Sequence, residues 1–516
     1  MGKAMILGID LGTTYSAVAT TDGSGLPRMI PNRIGELTTA SVVSFLGPNE
    51  VEVGSVAKER RAIDPEGTVA LIKRQMGTDY PLQFHGEPHT PESVSALILR
   101  ALVEDARAGL TVPAGEPVRA VVTVPAYFGT SEREATQQAA EAAGIEVLEL
   151  VAEPVAAALH YGVADASNRT ILVYDLGGGT FDCTVLRCTD GSVAALATDG
   201  DSHLGGADVD ERLGYTLLGQ LADQLPAGAD DPADDEALVQ EVMSLSETAK
   251  RNLADKERHR VTLRHAGHVL RVEVDREMVA TVSRDMVDRT MTIVERLLAA
   301  AGAGVVIDEV VLVGGSSRLP AVAQVLAERF GRPPLLRDPE LAVELGAAIR
   351  AHRLAGAPAS TAMFAGDSQA VAVLPRAVGL LVRDSYDPAG LREFVQHMVL
   401  ANTPLPAQVT APFTTILNNQ RSVRIQVYEQ AGAIASEDLA HNRRVLDGEF
   451  SDLPELPAGA RVDVTLSVGT DGRLSVEARE VLGGGQLRLE AYVEGVVDGA
   501  AAKRLSATTS AMVIRQ

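Results

Sequence analysis

Two stretches of the sequence decide the fold: Gly8-Ile-Asp-Leu-Gly-Thr-Thr14 and Tyr174-Asp-Leu-Gly-Gly-Gly-Thr-Phe-Asp182. In each, a short apolar run ends in Asp-Leu-Gly and leads into a turn of glycines and hydroxyl side chains. Glycines in such a turn let backbone N–H groups approach phosphate oxygens, and threonine hydroxyls add donors. The Asp at the strand end can hold a hydrated Mg²⁺ or orient a water molecule. The duplication therefore predicts two lobes, each with one phosphate-binding turn.

A third turn, Gly314-Gly-Ser-Ser-Arg-Leu-Pro320, also follows an apolar run. Its glycines could let a purine or ribose lie against the backbone, and Arg318 could stack on a base. The chain has neither a GxxxxGK[ST] loop nor a GxGxxG fingerprint that opens a helix, so the P-loop and Rossmann interpretations lose their main support. A different phosphate-binding architecture is expected.

The composition is that of a globular, multidomain protein: 516 residues, 46% apolar and 22% charged. The 46 basic and 69 acidic residues give a net charge of −23, which disfavours nucleic acid and anionic membranes as partners. The apolar run Ala4 to Ile9 is too short for a secretory signal, and two cysteines, Cys183 and Cys188, fit a reducing compartment. We therefore expect a cytoplasmic protein with no membrane contact.

The spacing of apolar residues along the sequence divides the chain into two parts. Up to about residue 355, short β-branched runs alternate with alanine-rich helical stretches, which indicates an α/β fold. From about residue 375, runs such as Val423 to Tyr428 alternate apolar and polar residues, which indicates a β domain. We expect an α/β domain at 1–356, a linker at 357–374, a β domain at 375–494 and a short tail at 495–516.

Six motifs in order resemble those of the actin-like ATPase chaperones of the seventy-kilodalton heat-shock class. They are GIDLGTTYS (8 to 16), VTVPAYF (122 to 128), EPVAAALHYG (153 to 162), YDLGGGTFD (174 to 182), HLGGADVD (203 to 210) and LVGGSSRLP (312 to 320). Further on, 402–428 and 463–478 resemble the peptide-binding β-sandwich of that family. The resemblance implies a two-lobed actin-like ATPase domain followed by an all-β sandwich domain at 375–494. It also implies that the tail at 495–516 is too short for the helical lid of that family.

The resemblance also implies roles for individual residues around ATP or ADP, Mg²⁺ and K⁺. The phosphates would be held by Gly12, Thr13, Thr14, Tyr15, Gly177, Gly178, Gly179 and Thr180. The metal shell would use Asp10, Asp175 and Asp182, while Lys73 and Glu153 would serve catalysis together with Asp10, Asp175 and Thr180. The nucleoside would be held by Glu247, Lys250, Arg251, Gly314, Gly315, Ser316 and Arg318. The helix spacing i, i+3, i+4 alone would make Glu247, Lys250 and Arg251 a surface salt-bridge cluster.

The chain departs from the family pattern at several places. Only 17 residues separate Lys73 from Pro91, where the family has a longer excursion. The linker segment Ser368 to Ala372 lacks an Asp and apolar bulk, so we expect it to have no apolar anchor. Glu149 and Ala152 stand where the family has an Arg and an Asn that receive J-domain co-chaperones. A specialised J-domain partner and an exchange factor are therefore expected partners of a monomeric chain.

Three functional hypotheses remain open at this point. The first is an ATP-hydrolysing chaperone whose groove binds extended apolar segments of clients, with Phe413, Val423 and Ile425 at the pocket; ordinary sandwich core is the other interpretation of these three. The second is a nucleotide-switched scaffold or assembly factor for one client. The third is a sugar kinase on the same fold, against which the β domain argues. Actin-like polymerisation is a weaker fourth hypothesis.

Overall fold

The computed structural model describes residues 4–161, 168–189, 192–226, 229–356, 370–384, 392–432, 435–450, 453, 455–470, 472–481, 486–490 and 499–515. These residues form two α/β lobes, a β-sandwich and a segment that packs on the first lobe. Among them, no helix is both long and apolar enough to cross a membrane.

Lobe I is built on a central sheet with strand order β11-β10-β1-β2-β3, in which β1 is parallel to β10 and antiparallel to β2. Its strands are β1 (Met5–Asp10), β2 (Tyr15–Thr21), β3 (Pro27–Met29), β4 (Thr39–Ala40), β5 (Val42–Gly47), β6 (Glu50–Val53), β7 (Thr68–Ala70), β8 (Leu82–Phe84), β9 (Glu87–His89), β10 (Val118–Val124) and β11 (Ile145–Ala152). Its helices are α1 (Ser55–Arg60), α2 (Pro91–Leu110), α3 (Thr130–Ala142) and α4 (Glu153–His160).

Lobe II repeats this arrangement with strand order β18-β17-β12-β13-β14, where β12 is parallel to β17 and antiparallel to β13. Its strands are β12 (Arg169–Leu176), β13 (Phe181–Thr189), β14 (Ser192–Asp201), β15 (Arg258–His265), β16 (His268–Asp275), β17 (Glu309–Val313) and β18 (Leu335–Leu336). Its helices are α5 (Gly206–Ala222), α6 (Glu236–Leu253), α7 (Arg276–Ala301) and α8 (Pro320–Phe330). The helix that follows, α9 (Ala342–Leu354), packs on the lobe I strands β1, β2 and β10 and on α4. The internal duplication expected from the two Asp-Leu-Gly turns is therefore present in the sheets.

Side chains fix where several long helices begin. Thr90 accepts a hydrogen bond from the backbone N–H of Ser93 and starts α2, and Asp235 and Asp275 do the same for α6 and α7. Each of these caps satisfies a backbone donor that has no partner within its helix. The two lobes meet where α4 crosses α9. A Cβ atom at Gly346 would overlap the carbonyl oxygen of Ala156, so this crossing requires glycine.

The β domain is a sandwich of two sheets with four strands each, in the orders β21-β20-β23-β24 and β22-β25-β26-β27. Its strands are β20 (Val378–Arg383), β21 (Glu393–Val399), β22 (Ala407–Thr414), β23 (Val423–Gln430), β24 (Asn442–Phe450), β25 (Arg461–Val468), β26 (Leu474–Glu480) and β27 (Gln486–Glu490). Alternate residues face inward to form one core, as the period-2 pattern predicts. This core includes Val427, Val445, Leu466 and Val476.

The connection to the sandwich joins the edge of the lobe II sheet. Strand β19 (Ala370–Val371) pairs in parallel with Val193 and Ala194 of β14, and the next residues to be buried are Val373 and Leu374. Val373 packs in the core between the lobes. Backbone pairing attaches Ala370 and Val371, and the apolar anchor is the next residue but one, Val373, outside the stretch Ser368 to Ala372 for which none was expected. Ser368 and Gln369 lie outside the described residues.

Residues 499–515, which follow the sandwich in sequence, lie on lobe I. They form α10 (Gly499–Ala511) and β28 (Val513–Arg515), and β28 is parallel to β6 in a sheet of order β28-β6-β5-β7. This segment is therefore part of the fold of the first lobe.

A buried ion cluster joins lobe I to the sandwich. Arg376 lies 3.1 Å from Glu132 and 3.7 Å from Glu429, and Arg443 lies 3.0 Å and 3.2 Å from the same two carboxylates. Glu429 also accepts a hydrogen bond of 2.9 Å from the backbone N–H of Thr130, at the start of α3. Burial favours the neutral form of Glu132, but the two arginines outweigh it and lower its pKa. The sandwich thus supplies the carboxylate that caps α3 of lobe I.

We predict that Glu429→Ala weakens the contact between lobe I and the sandwich. Removing one partner of a buried ion pair leaves uncompensated charge and costs about 3 kcal/mol or more. Calorimetric unfolding should show a lower midpoint, and the first amides of α3 should exchange faster. The matched control is Glu449→Ala, an exposed glutamate on the neighbouring strand, which should change stability by less than about 0.5 kcal/mol. Equal effects of the two substitutions would contradict the prediction.

Candidate active site

A cleft of about 830 Å³ lies between the two lobes and is lined by both Asp-Leu-Gly turns. The first turn links β1 to β2, and the second links β12 to β13. Cβ atoms at Gly178 and Gly179 would overlap the side chains of Thr14 and Thr13, so the two turns meet face to face. Only glycine allows this approach. The turns that the sequence predicts as a pair are brought together in space.

An ion pair lies at the base of the cleft. Lys73, in a 3-10 turn at Ile72–Gln75, donates a hydrogen bond of 2.7 Å to Glu153 at the start of α4. Both side chains are more than 90% buried. Burial opposes the charge on Lys73, but the carboxylates of Glu153 and Asp10 outweigh it and raise the pKa of Lys73 above its usual value. The lysine is therefore held as a fixed cation.

The strand-end carboxylates converge near this lysine. Asp10 accepts a hydrogen bond of 2.6 Å from Thr123. Burial, together with the charge on Glu153, raises the pKa of Asp175 and of Asp182 well above their usual value. One oxygen of Asp182 is buried without a hydrogen-bond partner, while the other accepts from the backbone N–H of Tyr127. A site that holds several carboxylates against one lysine favours a bound cation.

The residues present fit a hydrated Mg²⁺. Aspartate oxygens are the hard donors that Mg²⁺ prefers, and the orphaned oxygen of Asp182 is available as an acceptor. Over the part of the chain that the structure describes, no three His, Cys, Asp or Glu side chains are close enough to enclose an ion by themselves. Mg²⁺ commonly keeps several waters and shares ligands with substrate phosphates, so an open set of carboxylates suits it.

The nucleoside side of the cleft is formed by α6. Lys250 donates hydrogen bonds of 2.7 Å to Asp210 and to the carbonyl oxygen of Gly206, so its ammonium is already committed. Glu247 accepts from Lys58 at 2.5 Å and from the hydroxyl of Tyr15 at 2.7 Å, which links lobe II to lobe I. Arg251 also donates to this hydroxyl, at 3.0 Å. Burial raises the pKa of Asp210 to about 6, although Lys250 works in the opposite direction.

The third turn lies across from α6. Gly315, Ser316 and Arg318 line the cleft, whereas Gly314 lies behind them with its α-carbon close to Asp175. Arg318 forms an ion pair of 3.1 Å with Glu340 at the rim, so stacking on a base requires it to leave that partner. The expected residues line the cleft with three exceptions, Gly179, Asp182 and Gly314, which lie outside its lining.

Sequence reasoning missed four residues in or beside the cleft. Lys58 at the end of α1 pairs with Glu247, and nothing in its local pattern distinguishes it from a surface lysine. Arg74, the neighbour of Lys73, donates 2.9 Å to the carbonyl oxygen of Gly179 and 2.6 Å to Asp208. Asp208 and Asp210 lie in the motif HLGGADVD, which was quoted without roles and could have identified Asp210 as the partner of Lys250.

Glu344 on α9 is a further buried acid beside the cleft. It is fully buried, and neither of its carboxylate oxygens has a hydrogen-bond partner. Burial, and then the charge on Asp10, raises its pKa well above the usual value. The residues around it, Ala-Val-Glu-Leu-Gly, form an ordinary helical pattern, so nothing in the sequence distinguishes Glu344 from a surface glutamate.

The three candidate peptide-binding residues lie in the sandwich. Ile425 is buried in the core, as the alternative interpretation expects, whereas Phe413 and Val423 are half-buried at its margin. Phe413 is on β22 of one sheet and Val423 is on β23 of the other. The loop between these two strands exposes Ile416 and Leu417 by 50% and 63%, an apolar surface that was not expected.

Comparison with known proteins identifies the family. A family model described as Hsp70 protein matches residues 6–85 and 80–501. The chain belongs to the Hsp70 family. It is 38% identical over 495 residues to the chaperone protein DnaK of Thermotoga neapolitana, which is 94% of this chain and 79% of that relative. For DnaK of Thermotoga maritima the identity is 37% over the same length, and for DnaK of Thermosipho africanus it is 36% over 491 residues, or 93% of this chain and 78% of the relative.

Membership of the Hsp70 family confirms the fold class and the leading functional hypothesis. The two α/β lobes are an actin-like ATPase domain, and the sandwich is the substrate domain. This Hsp70 is an ATP-dependent chaperone that hydrolyses ATP to ADP and phosphate with Mg²⁺ and binds client proteins. The sugar-kinase hypothesis loses its basis.

Glu344 generates a prediction about pH. Because the folded chain raises the pKa of Glu344 above the usual 4.5, the folded state holds this proton more tightly than the unfolded state. Stability is therefore lost as pH rises from about 4.5 through the folded pKa, by at most about 1.4 kcal/mol per pH unit. Glu344→Gln cannot ionise and should lack this loss.

The measurement is the thermal midpoint of the nucleotide-free protein, without Mg²⁺, from acid to neutral pH. The difference between Glu344→Gln and wild type should grow with pH. Glu328→Gln on α8, an exposed glutamate, is the matched control and should run parallel to wild type. Parallel curves for both variants would rule out a buried, neutral Glu344.

Proposed function

We propose that the face-to-face turns and the Lys73–Glu153 ion pair are the phosphate site and the catalytic centre of this Hsp70. The observation that carries the proposal is the close approach of Gly178 and Gly179 to Thr14 and Thr13, which brings the backbones of the two turns to one place in the cleft. Backbone N–H groups of such turns bind anions without a positively charged loop. Phosphates of ATP would bridge the lobes at this point.

Catalysis would rest on fixed charges, with no covalent intermediate. Lys73 would hold the attacking water and the transferred phosphate, while Glu153 positions the lysine and keeps it protonated. Thr180 would donate a hydrogen bond to phosphate, and Asp10, Asp175 and Asp182 would hold Mg²⁺. Bound Mg²⁺ supplies charge neutralisation at the phosphate oxygens. K⁺ is proposed as a second, monovalent cation for the same carboxylates.

The nucleoside would be gripped from both lobes. The group formed by Tyr15, Lys58, Glu247 and Arg251 connects β2 and α1 to α6 at the rim of the cleft. It would close over the nucleoside, while Gly315 and Ser316 form the opposite wall. Breaking the 2.5 Å contact between Lys58 and Glu247 would open the rim, and this is the step that we assign to nucleotide exchange.

The client would bind at the margin of the sandwich. Phe413 and Val423 are half-buried there, and the neighbouring Ile416 and Leu417 are exposed. An extended apolar segment can bind to such a surface through backbone hydrogen bonds and one or two side-chain pockets. Ile425 would support the pocket from below. A single dedicated client, as in the scaffold hypothesis, would use the same surface.

For co-chaperones we propose a specialised partner. Glu149 forms an ion pair of 2.6 Å with Arg350 of α9, so an internally paired acid stands where the family has an Arg. An ordinary J-domain would therefore stimulate the ATPase weakly, because the complementary positive charge is missing from this position. We further propose that the protein works as a cytoplasmic monomer, with an exchange factor as its second partner.

The catalytic assignment predicts that Lys73→Met lowers single-turnover ATP hydrolysis by about 10²–10³-fold, because a positioned charge at the transferred phosphate typically contributes this much. ATP binding, measured by calorimetry, should persist. Lys256→Met changes an exposed lysine at the end of α6 in the same way and should keep the wild-type rate. Normal hydrolysis by a folded Lys73→Met variant would remove Lys73 from the mechanism.

The peptide site predicts that Val423→Asp weakens binding of apolar heptapeptides at least tenfold, since burying a charge against an apolar ligand costs more than about 1.4 kcal/mol. Fluorescence anisotropy with a labelled peptide measures it. Val481→Asp places the same charge at an exposed valine elsewhere in the sandwich and serves as the control. Unchanged affinity in a folded Val423→Asp variant would show that clients bind elsewhere.

A further inference from the structure

The edge of β6 in lobe I carries an added strand that comes from the far end of the described chain. Val513, Ile514 and Arg515 of β28 pair with Glu50, Val51 and Glu52. The backbone N–H of Val513 donates a hydrogen bond of 2.8 Å to the carbonyl oxygen of Asn49. The β8–β9 hairpin forms its own two-stranded sheet and leaves this edge of β6 to β28. An unpaired edge is a template for strand addition, and β28 fills it.

The helix that precedes this strand is also fitted to lobe I. Leu505, Thr509 and Met512 are buried, and their spacing of i, i+4, i+7 places them on one side of the segment. Leu505 and Met512 join the hydrophobic core of lobe I, and Ile514 packs against it. Helix α10 contacts α3 and α2. The residues of α10 that lie between these buried positions along the chain, such as Ala507 and Ser510, are exposed.

One arginine of lobe I recognises the end of α10. Arg100 donates hydrogen bonds to the carbonyl oxygens of Thr509 and Met512, the second at 2.5 Å. The last carbonyl groups of a helix have no partner within the helix, so a guanidinium group there satisfies them and complements the helix dipole. Glu104 holds Arg100 in place through a 3.0 Å ion pair. At the outer end, Arg515 pairs with Glu50.

We propose that the edge of β6, with Arg100 and the adjoining surface of α2 and α3, is a second peptide-binding surface, distinct from the sandwich groove. Its occupant is the segment 499–515 of this chain, which binds as a helix followed by an added strand. Strand addition supplies backbone hydrogen bonds, while Leu505 and Met512 supply apolar burial. Binding of the segment depends on these hydrogen bonds and apolar contacts.

The consequence for the proposed function is a second tether between the domains. Eight residues separate Glu490 at the end of the sandwich from Gly499, which limits their separation to about 30 Å for a fully extended chain. While the segment is bound, the sandwich stays close to lobe I, and the Glu132, Arg376, Glu429 and Arg443 cluster re-forms at high effective concentration. The segment therefore restricts separation of the two domains in any nucleotide state.

The test of the surface is Val513→Pro against Val513→Thr. The Val513 side chain is 58% exposed, so proline mainly removes the N–H that pairs with Asn49, whereas threonine keeps it. Hydrogen exchange of residues 49–53 and 512–515 should accelerate at least tenfold in the proline variant and stay unchanged in the threonine variant. A synthetic peptide of residues 499–516 should restore protection to the proline variant in trans, and the same peptide with proline at position 513 should not. Unchanged exchange in both variants, or no protection by the peptide, would overturn the proposal.

The tether is tested separately by the distance between spin labels at Ala108 on α2 of lobe I and Thr414 on the sandwich, both exposed. In wild type and in Val513→Thr the distribution should remain narrow with ATP and with ADP. In Val513→Pro it should broaden in at least one nucleotide state. Identical distributions in all three proteins would overturn the tether. Loss of ATP binding in all three proteins would instead contradict the proposed phosphate site, and the exchange result would still decide the surface.

Discussion

The crossing of α4 and α9 is the contact on which the arrangement of the two lobes depends. Gly346 lets the helices approach until only backbone atoms separate them, and this sets how closely the lobes lie. At that separation the second turn reaches the threonines of the first, and α4 presents Glu153 to Lys73. A larger side chain at Gly346 would act on the phosphate site from a distance, because interiors are close-packed and transmit displacement.

The position of the acidic residues matters as well as their excess over basic residues. The chain carries a net charge of −23, yet its buried acids lie in groups and most of them form an ion pair with a specific basic residue. Lys73 pairs with Glu153, Lys250 pairs with Asp210, and two arginines pair with Glu132 and Glu429. Asp175 and Asp182 are the exceptions at the cleft, where the proposed Mg²⁺ would supply the missing positive charge. Glu344 has no such complement, and it is held in the fold by the surrounding helix packing.

The sequence predicted those features that repeat or that have a regular period. The Asp-Leu-Gly duplication predicted the matching lobes and the two facing turns, and the period-2 runs predicted the sandwich. It could not predict β19 or β28, because strands of two or three residues have no readable period and their partners lie elsewhere. The ion cluster was invisible for the same reason: Arg443 is 311 positions from Glu132. Lys58 was missed because helix α1 alone makes it look solvent-exposed.

The sandwich is attached to both lobes by different strands, β19 on lobe II and β28 on lobe I through the segment that follows β27. Lobe I, lobe II and the sandwich therefore form a closed mechanical loop, in which each body is linked to the other two. In such a linkage no joint can turn alone. A rotation between the lobes therefore displaces the sandwich by shear. A movement at the proposed nucleotide site can in this way reach the proposed client surface while all three bodies stay linked.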